Sequence, residues 1–113
     1  MRIEDELQMF KNLTEKMNEI FTNKRHDYGP STEETFRKFG AVSMLVRMHD
    51  KLNRLDNLLT AHVQNKVTDE SIDDTLLDLA NYALITVLER HKAETEKMEN
   101  GLEKLERERY RVD

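Results

Sequence analysis

A chain of 113 residues with a formal net charge of −5 is a single domain by length, large enough for a core and small enough to gain from a partner copy. Its 37% apolar and 36% charged content, with only 3 Gly, 1 Pro and no Trp, favours helices with wide solvated faces and lacks the turn residues that hairpins need. The absence of cysteine excludes disulfides, thiolate nucleophiles and Cys-held metals. The acidic balance argues against duplex nucleic acid as a partner, and no apolar run approaches the ~20 residues of a membrane span.

Met1 to Phe10 carries acids where a signal peptide needs a basic and then an apolar run, so the cytoplasm is the expected compartment. Ile3, Leu7, Phe10, Leu13, Met17 and Ile20–Phe21 step alternately by four and three, which predicts an amphipathic helix over residues 3 to about 22. Thr22 to Pro30 gathers turn formers without apolar periodicity and reads as a loop. Ser31 and Glu34 stand at capping-box spacing, opening a second helix from Thr32 to about His62 with Leu45, Met48, Leu52, Leu55 and Leu59 as its core stripe. Gly40 within it either interrupts the helix or permits close packing.

Asn65 to Asp69 is a polar connection in which Thr68 or Asp69 can cap a third helix, from 70 to about 92. That helix carries apolar residues nearly all round, so it is expected to be central and largely buried. Beyond it Met98, Leu102 and Leu105 prolong a weak heptad, diluted by Thr95 and Asn100–Gly101. The expected organisation is a helical domain over 1–92 and a charged helical appendage over 93–113. The expected fold is all-α: three main helices with an extended C-terminal helix, completed by oligomerisation. A two-fold homodimer is the simplest assembly, with its main interface on the helices between residues 32 and 91, because the tail seam is too weak to hold subunits alone.

On the third helix Glu70, Asp74 and Asp78 recur every four residues, followed by Asn81, so the four share one narrow stripe. Aligned acids repel; a solvated stripe, basic partners or a divalent cation would each offset this. If repulsion dominates, replacing Asp78 leaves stability unchanged or improved. On the second helix Arg47, Asp50, Lys51 and Arg54 lie opposite the leucine stripe, a set that suits either an ion-pair lattice or phosphate plus metal. The segment Lys24-Arg25-His26-Asp27-Tyr28-Gly29 combines cations, a carboxylate and a stackable ring, and reads either as a polar connection or as a loop that closes over a ligand. Lys16 is expected to lie away from any such site. His49, His62 and His91 have no two-His metal spacing, and no P-loop or dinucleotide fingerprint is present.

In order, Lys24-Arg25-His26-Asp27-Tyr28-Gly29, Val46-Arg47-Met48-His49-Asp50-Lys51-Leu52-Asn53-Arg54-Leu55 and the run from Glu70 through Asp78-Leu79-Ala80-Asn81-Tyr82-Ala83 resemble the nucleotide modification associated domain 1 family. That family is frequent in phages, and its name implies a role around nucleotide metabolism, in host cytoplasm if the chain is phage-encoded. More distantly, the segment Asp74 to Asp78 is similar to the second acidic motif of all-α nucleoside triphosphate pyrophosphohydrolases of the MazG and dimeric dUTPase kind. Thr75 replaces the usual glutamate there. Their first acidic motif is represented only by Asp50, unless Glu33 and Glu34 contribute.

The resemblance implies a nucleotide ligand and Mg²⁺. Asp50, Glu70, Asp74 and Asp78 would hold the cation, with Asp50, Asp74 and Asp78 as catalytic carboxylates, one of them orienting water. Lys24, Arg47, Lys51 and Arg54 would neutralise phosphate. Asp27 and Tyr28 would also bind the substrate, Tyr28 by stacking on the base, and Asn81 would meet a base edge. Two further readings stand beside this one: a non-catalytic protein that sequesters or senses a nucleotide, favoured by the incomplete first motif, and a structural helical oligomer glued by ion pairs.

Overall fold

The computed structural model describes residues 1–63 and 69–111, with side chains described for all of these except 26–30, 62, 63 and 69. The described residues form three helices: α1 Ile3–Phe39, α2 Val42–Val63 and α3 Asp69–Arg109. No strand occurs among the described residues. None of their helices is long and apolar enough to cross a membrane. The all-α reading therefore holds; of the connection expected at 65–69, residues 65–68 with the Thr68 cap fall outside the described residues, and Asp69 is the first residue of α3.

The segment read as a loop is instead part of α1, which runs through residues 22–30 and Ser31 without a break. Gly29 and Pro30 cost a helix about 1 and 3 kcal/mol relative to alanine, yet apolar packing on both sides holds the helix through them. Phe21 and Phe36, fifteen residues apart, come within about 60° of each other on a continuous helix. Both pack on the same core of Met44 and Ile85. Tertiary contact outweighs local breaker chemistry. Ser31 is consequently no cap; its carbonyl accepts the Thr35 hydroxyl at 2.8 Å inside α1.

The true end of α1 is Gly40. Its φ of 71° lies in the left-handed region that glycine enters without strain. Its N–H donates to the Phe36 carbonyl at 2.7 Å, and Arg37 and Lys38 occupy the negative end of the helix dipole. Nothing lies within 4 Å of where a Cβ would stand, so Gly40 interrupts the helix and does not serve close packing. The Ser43 hydroxyl donates to the Gly40 carbonyl at 2.8 Å, which ties the turn to the first residues of α2.

Contacts set the directions. Phe36 meets Met44 across the α1–α2 turn, and Met44 meets Ile85, while Lys51 reaches Asp78; α2 is therefore antiparallel to both neighbours. The centre of the molecule is Met44, 1% exposed, surrounded by Phe36, Ile85, Phe21, Met48, Tyr82 and Ala93. Leu55 and Ile72 are also buried.

The α2 stripe expected in the core is half wrong. Met48 and Leu55 turn inward, but Leu45, Leu52 and Leu59 are 49%, 48% and 51% exposed. Nor is α3 largely buried, since Leu76, Leu84, Val87 and Leu88 are all exposed.

The helices are staggered, so residues 1–13, which include the start of α1, and 97–111, which include the end of α3, are exposed throughout. The molecule measures 75 × 33 × 22 Å with a radius of gyration of 20.1 Å, against about 13 Å for a compact chain of this length.

Gly40→Ala is expected to lower the unfolding free energy in urea by about 1 kcal/mol, the cost of a Cβ at positive φ. Gly101→Ala, within α3 and without close neighbours, should leave the global transition in place and slightly raise helicity by circular dichroism.

Candidate functional site

The charged residues between the helices form a compact group around Asp78. This carboxylate, 25% exposed, accepts from Lys51 Nζ of α2 at 3.1 Å and lies 3.8 Å from Lys24 Nζ of α1. Lys51 also stands 5.9 Å above the centre of the Tyr82 ring, one turn further along α3, a cation–π contact that fixes the ammonium in the seam. Arg47, one turn before Lys51, reaches across to the buried Thr32 hydroxyl of α1 at 3.4 Å. Asn81 is 6% exposed, and its amide donates to the Met17 carbonyl of α1 at 3.3 Å.

Thus Lys24, Arg47, Lys51, Asp78 and Asn81, drawn from three helices, converge on one side of the α2–α3 pair. The other expected residues do not join them. Asp50 and Arg54 are exposed on α2 and form no ion pair with a described residue. Glu70 is exposed in the first turn of α3. The side chains of Asp27 and Tyr28 fall outside those described, although both stand on α1 within a turn or so of Lys24. Asp74 is exposed and pairs with Lys16 at 4.0 Å, which corrects the expectation that Lys16 is remote: it sits at the acidic stripe.

Glu33 is engaged elsewhere, 3.4 Å from Arg37, whose guanidinium also binds Glu96 at 2.8 Å. Glu96 lies eighteen residues beyond Asp78, about 27 Å along the helix, so Glu33 cannot complete an acidic motif around Asp78 within one chain. Near it, the buried Glu89 pairs with Lys92 at 3.0 Å. No sequence spacing singled out Glu89; only its depth in the core face of α3 does.

Among the described residues no three carboxylate or imidazole groups approach closely enough to hold a metal ion. The aligned acids of α3 are offset by lysines, one for Asp74 and two for Asp78. Among the described residues of one chain, the donor set therefore does not gather the carboxylates that Mg²⁺ needs. What it offers is a pair of ammonium groups on separate helices that share one carboxylate, an arrangement that an incoming anion can enter by competing with Asp78.

Beside this group is a groove between α1 and α3 of about 230 Å³, lined by Thr14, Met17, Asn18, Phe21, Asn81, Leu84, Ile85 and Leu88. Of these only Asn81 was singled out by sequence. A groove between two helices needs their relative placement, and periodicity along one helix carries no trace of it.

No curated protein and no solved structure matches the chain. Residues 24–89 match the family model described as nucleotide modification associated domain 1. This segment holds Lys24, Arg47, Lys51, Asp78, Tyr82 and Asn81 and covers more than half of the sequence, so the chain belongs to the nucleotide modification associated domain 1 family.

Proposed function

We propose that this protein binds a nucleotide, with its phosphates taken up by Lys24 and Lys51. The observation that carries the reading is the position of these two ammonium groups, brought from α1 and α2 onto the single carboxylate of Asp78. The family description, which speaks of nucleotide modification, points the same way. A phosphate oxygen offers more charge and more acceptor sites than a carboxylate, so it can draw both lysines from Asp78.

Of the readings left by the sequence, binding without hydrolysis is the better supported. A Mg²⁺-dependent pyrophosphohydrolase needs carboxylates that converge, and the described residues of one chain bring none together in threes. Incubation with a panel of nucleoside triphosphates, with and without Mg²⁺, is expected to retain ligand and yield no diphosphate or monophosphate product. Lys24→Ala and Lys51→Ala should each weaken retention by about tenfold, the order of one charge-assisted hydrogen bond. Arg54→Ala and Lys104→Ala should match the wild type in titration calorimetry. Equal affinities across all four variants would remove the lysine pair from the site.

Asp78 separates the readings further. Asp78→Asn deletes two partly exposed ion pairs and leaves two lysines facing each other, so stability should fall by roughly 0.5–2 kcal/mol, opposite to the gain expected from aligned acids alone. In Mg²⁺-free buffer its affinity for inorganic tripolyphosphate should rise, because the competing carboxylate is gone. A loss of all ligand handling in this variant, with Mg²⁺ required by the wild type, would instead make Asp78 a metal ligand.

We further propose that the working unit is a homodimer. The accessible surface is 9374 Å², about 2,900 Å² more than a compact monomer of this mass exposes. The projecting helix ends supply part of this excess. The rest has an address on the flank of the α2–α3 pair turned away from α1. Leu52 lies about 140° round α2 from Arg47, which reaches α1, and Leu76 and Ala83 lie about 160° and 140° round α3 from Asp78. That flank carries Leu45, Leu52 and Leu59 beside Leu76, Ala83 and Val87, all exposed. An obligate dimer interface buries 2,000 Å² or more in total, so this flank would form the apolar centre of a wider contact. Leu52→Glu should convert the dimer to a monomer in sedimentation at micromolar concentration. Leu102→Glu, on the projecting tail, should not; the reverse result would make the tail the assembly device.

A further inference from the structure

We infer that the groove between α1 and α3 is the subsite for the heterocyclic base of the bound nucleotide, an inference that rests on the phosphate reading above. Its volume, about 230 Å³, is below the ~300–1,000 Å³ of pockets that enclose whole drug-sized ligands. It fits one flat ring system with the remainder of the molecule outside. The walls are apolar, from Met17, Phe21, Leu84 and Leu88, and two carboxamides, Asn18 and Asn81, interrupt them. An apolar slot with one or two amide groups suits a base, which presents hydrophobic faces and a polar edge.

Asn81 supplies the sharper argument. It is buried, yet its one hydrogen bond with described residues goes from Nδ2 to the Met17 carbonyl. Its Oδ1 and second N–H are left over. No fully buried side-chain polar atom among the described residues lacks a partner, so the spare Oδ1 is reached from the groove. A donor and an acceptor side by side match the amide or amidine edge that each of the common bases carries. An apolar side chain in the same slot would instead strand that oxygen, at the cost of an unpaired buried acceptor.

Register places the slot beside the lysine pair. Phe21 precedes Lys24 by three residues on α1, and Asn81 follows Asp78 by three on α3. Because α1 and α3 run parallel, these two steps point in opposite axial directions, so the slot lies at the level of the lysine pair, turned about 60° round each helix from Lys24 and from Asp78. A sugar bridges that turn, with its 5′ phosphate at Lys24 and Lys51.

Two ligands distinguish this inference from the reading it rests on: a panel of deoxynucleoside triphosphates, and inorganic tripolyphosphate, which has the charge and no base. With the full chain, at least one triphosphate is expected to bind about tenfold more tightly than tripolyphosphate, the order of one base contact. Leu84→Trp, at the exposed rim of the slot, should abolish that difference while leaving tripolyphosphate affinity unchanged; Asn81→Ala should also abolish that difference. Because Asn81 is buried, Leu84→Trp keeps the test open if Asn81→Ala fails to fold. Equal binding of tripolyphosphate and every triphosphate, or an undiminished preference in Leu84→Trp, would overturn the base subsite and leave the phosphate reading intact. A change in sedimentation of Leu84→Trp without any change in binding would also overturn it, by making the groove a contact between copies. Failure of tripolyphosphate and of every triphosphate to bind would overturn both.

Discussion

Because Lys51 reaches Asp78 across the seam between α2 and α3, the next residue along, Leu52, is turned about 100° aside. The rest of the architecture follows from that rotation. Met44, Met48 and Leu55 share the inward side with Lys51, while Leu45 and Leu59 go outward with Leu52. The helix thus gives its seam a mixture of methionine and cation, and gives its flank three leucines at heptad spacing. An ammonium between helices is tolerable because it is doubly compensated, by a carboxylate and by the face of Tyr82. Without those partners the leucine stripe would be the cheaper one to bury, and α2 would roll onto it. Polar pairing and apolar burial are therefore in competition on this helix, and the ion pair sets the outcome for a single copy.

The same competition explains what was legible beforehand. Helix α1 up to Phe21 and the beginning of α3 follow from one unambiguous period each. Helix α2 carries two overlapping stripes of similar hydrophobicity, which share Met48 and Leu55 but differ in Leu45, Leu52 and Leu59. No count of apolar residues chooses between them; the partner on α3 does. At residues 22–30 the local chemistry of Gly29 and Pro30 argued for a loop, and the signal against it, the phase relation of Phe21 with Phe36, becomes visible only when both are known to reach Met44. For the site, the acidic period of α3 and the cations at Lys24 and Lys51 were readable as types and spacings. Which acid meets which base was not, and Lys16, set aside as remote, proved to pair with Asp74.

Two charge systems occupy separate levels of the bundle. Around Asp78 the partners come from all three helices and lie beside an apolar groove. Near the α1–α2 turn, Arg37 joins Glu33 of its own helix to Glu96 of α3, and Glu89 is held by Lys92. The second system has a plain structural role: it fastens the end of α1 to α3 just where α1 stops at Gly40. Its exposed pairs are worth little individually; Arg37–Glu96 is the one that crosses from α1 to α3, consistent with the stagger that the apolar core sets between them.

That stagger makes α3 one helix in geometry and two in behaviour. Its amide protons up to about Glu96 are covered by neighbours, so their exchange with solvent requires the bundle to open. From Lys97 to Arg109 the same hydrogen-bonded ladder stands in water with nothing packed against it. There, exchange proceeds by fraying from the free end, on its own timescale. A protease would meet the two halves in the same order, trimming the projecting turns at a rate blind to global stability and slowing sharply where Glu96 binds Arg37. The chain thus carries its own internal standard: a single helix whose outer part reports on local helix–coil equilibrium and whose inner part reports on the cooperative fold.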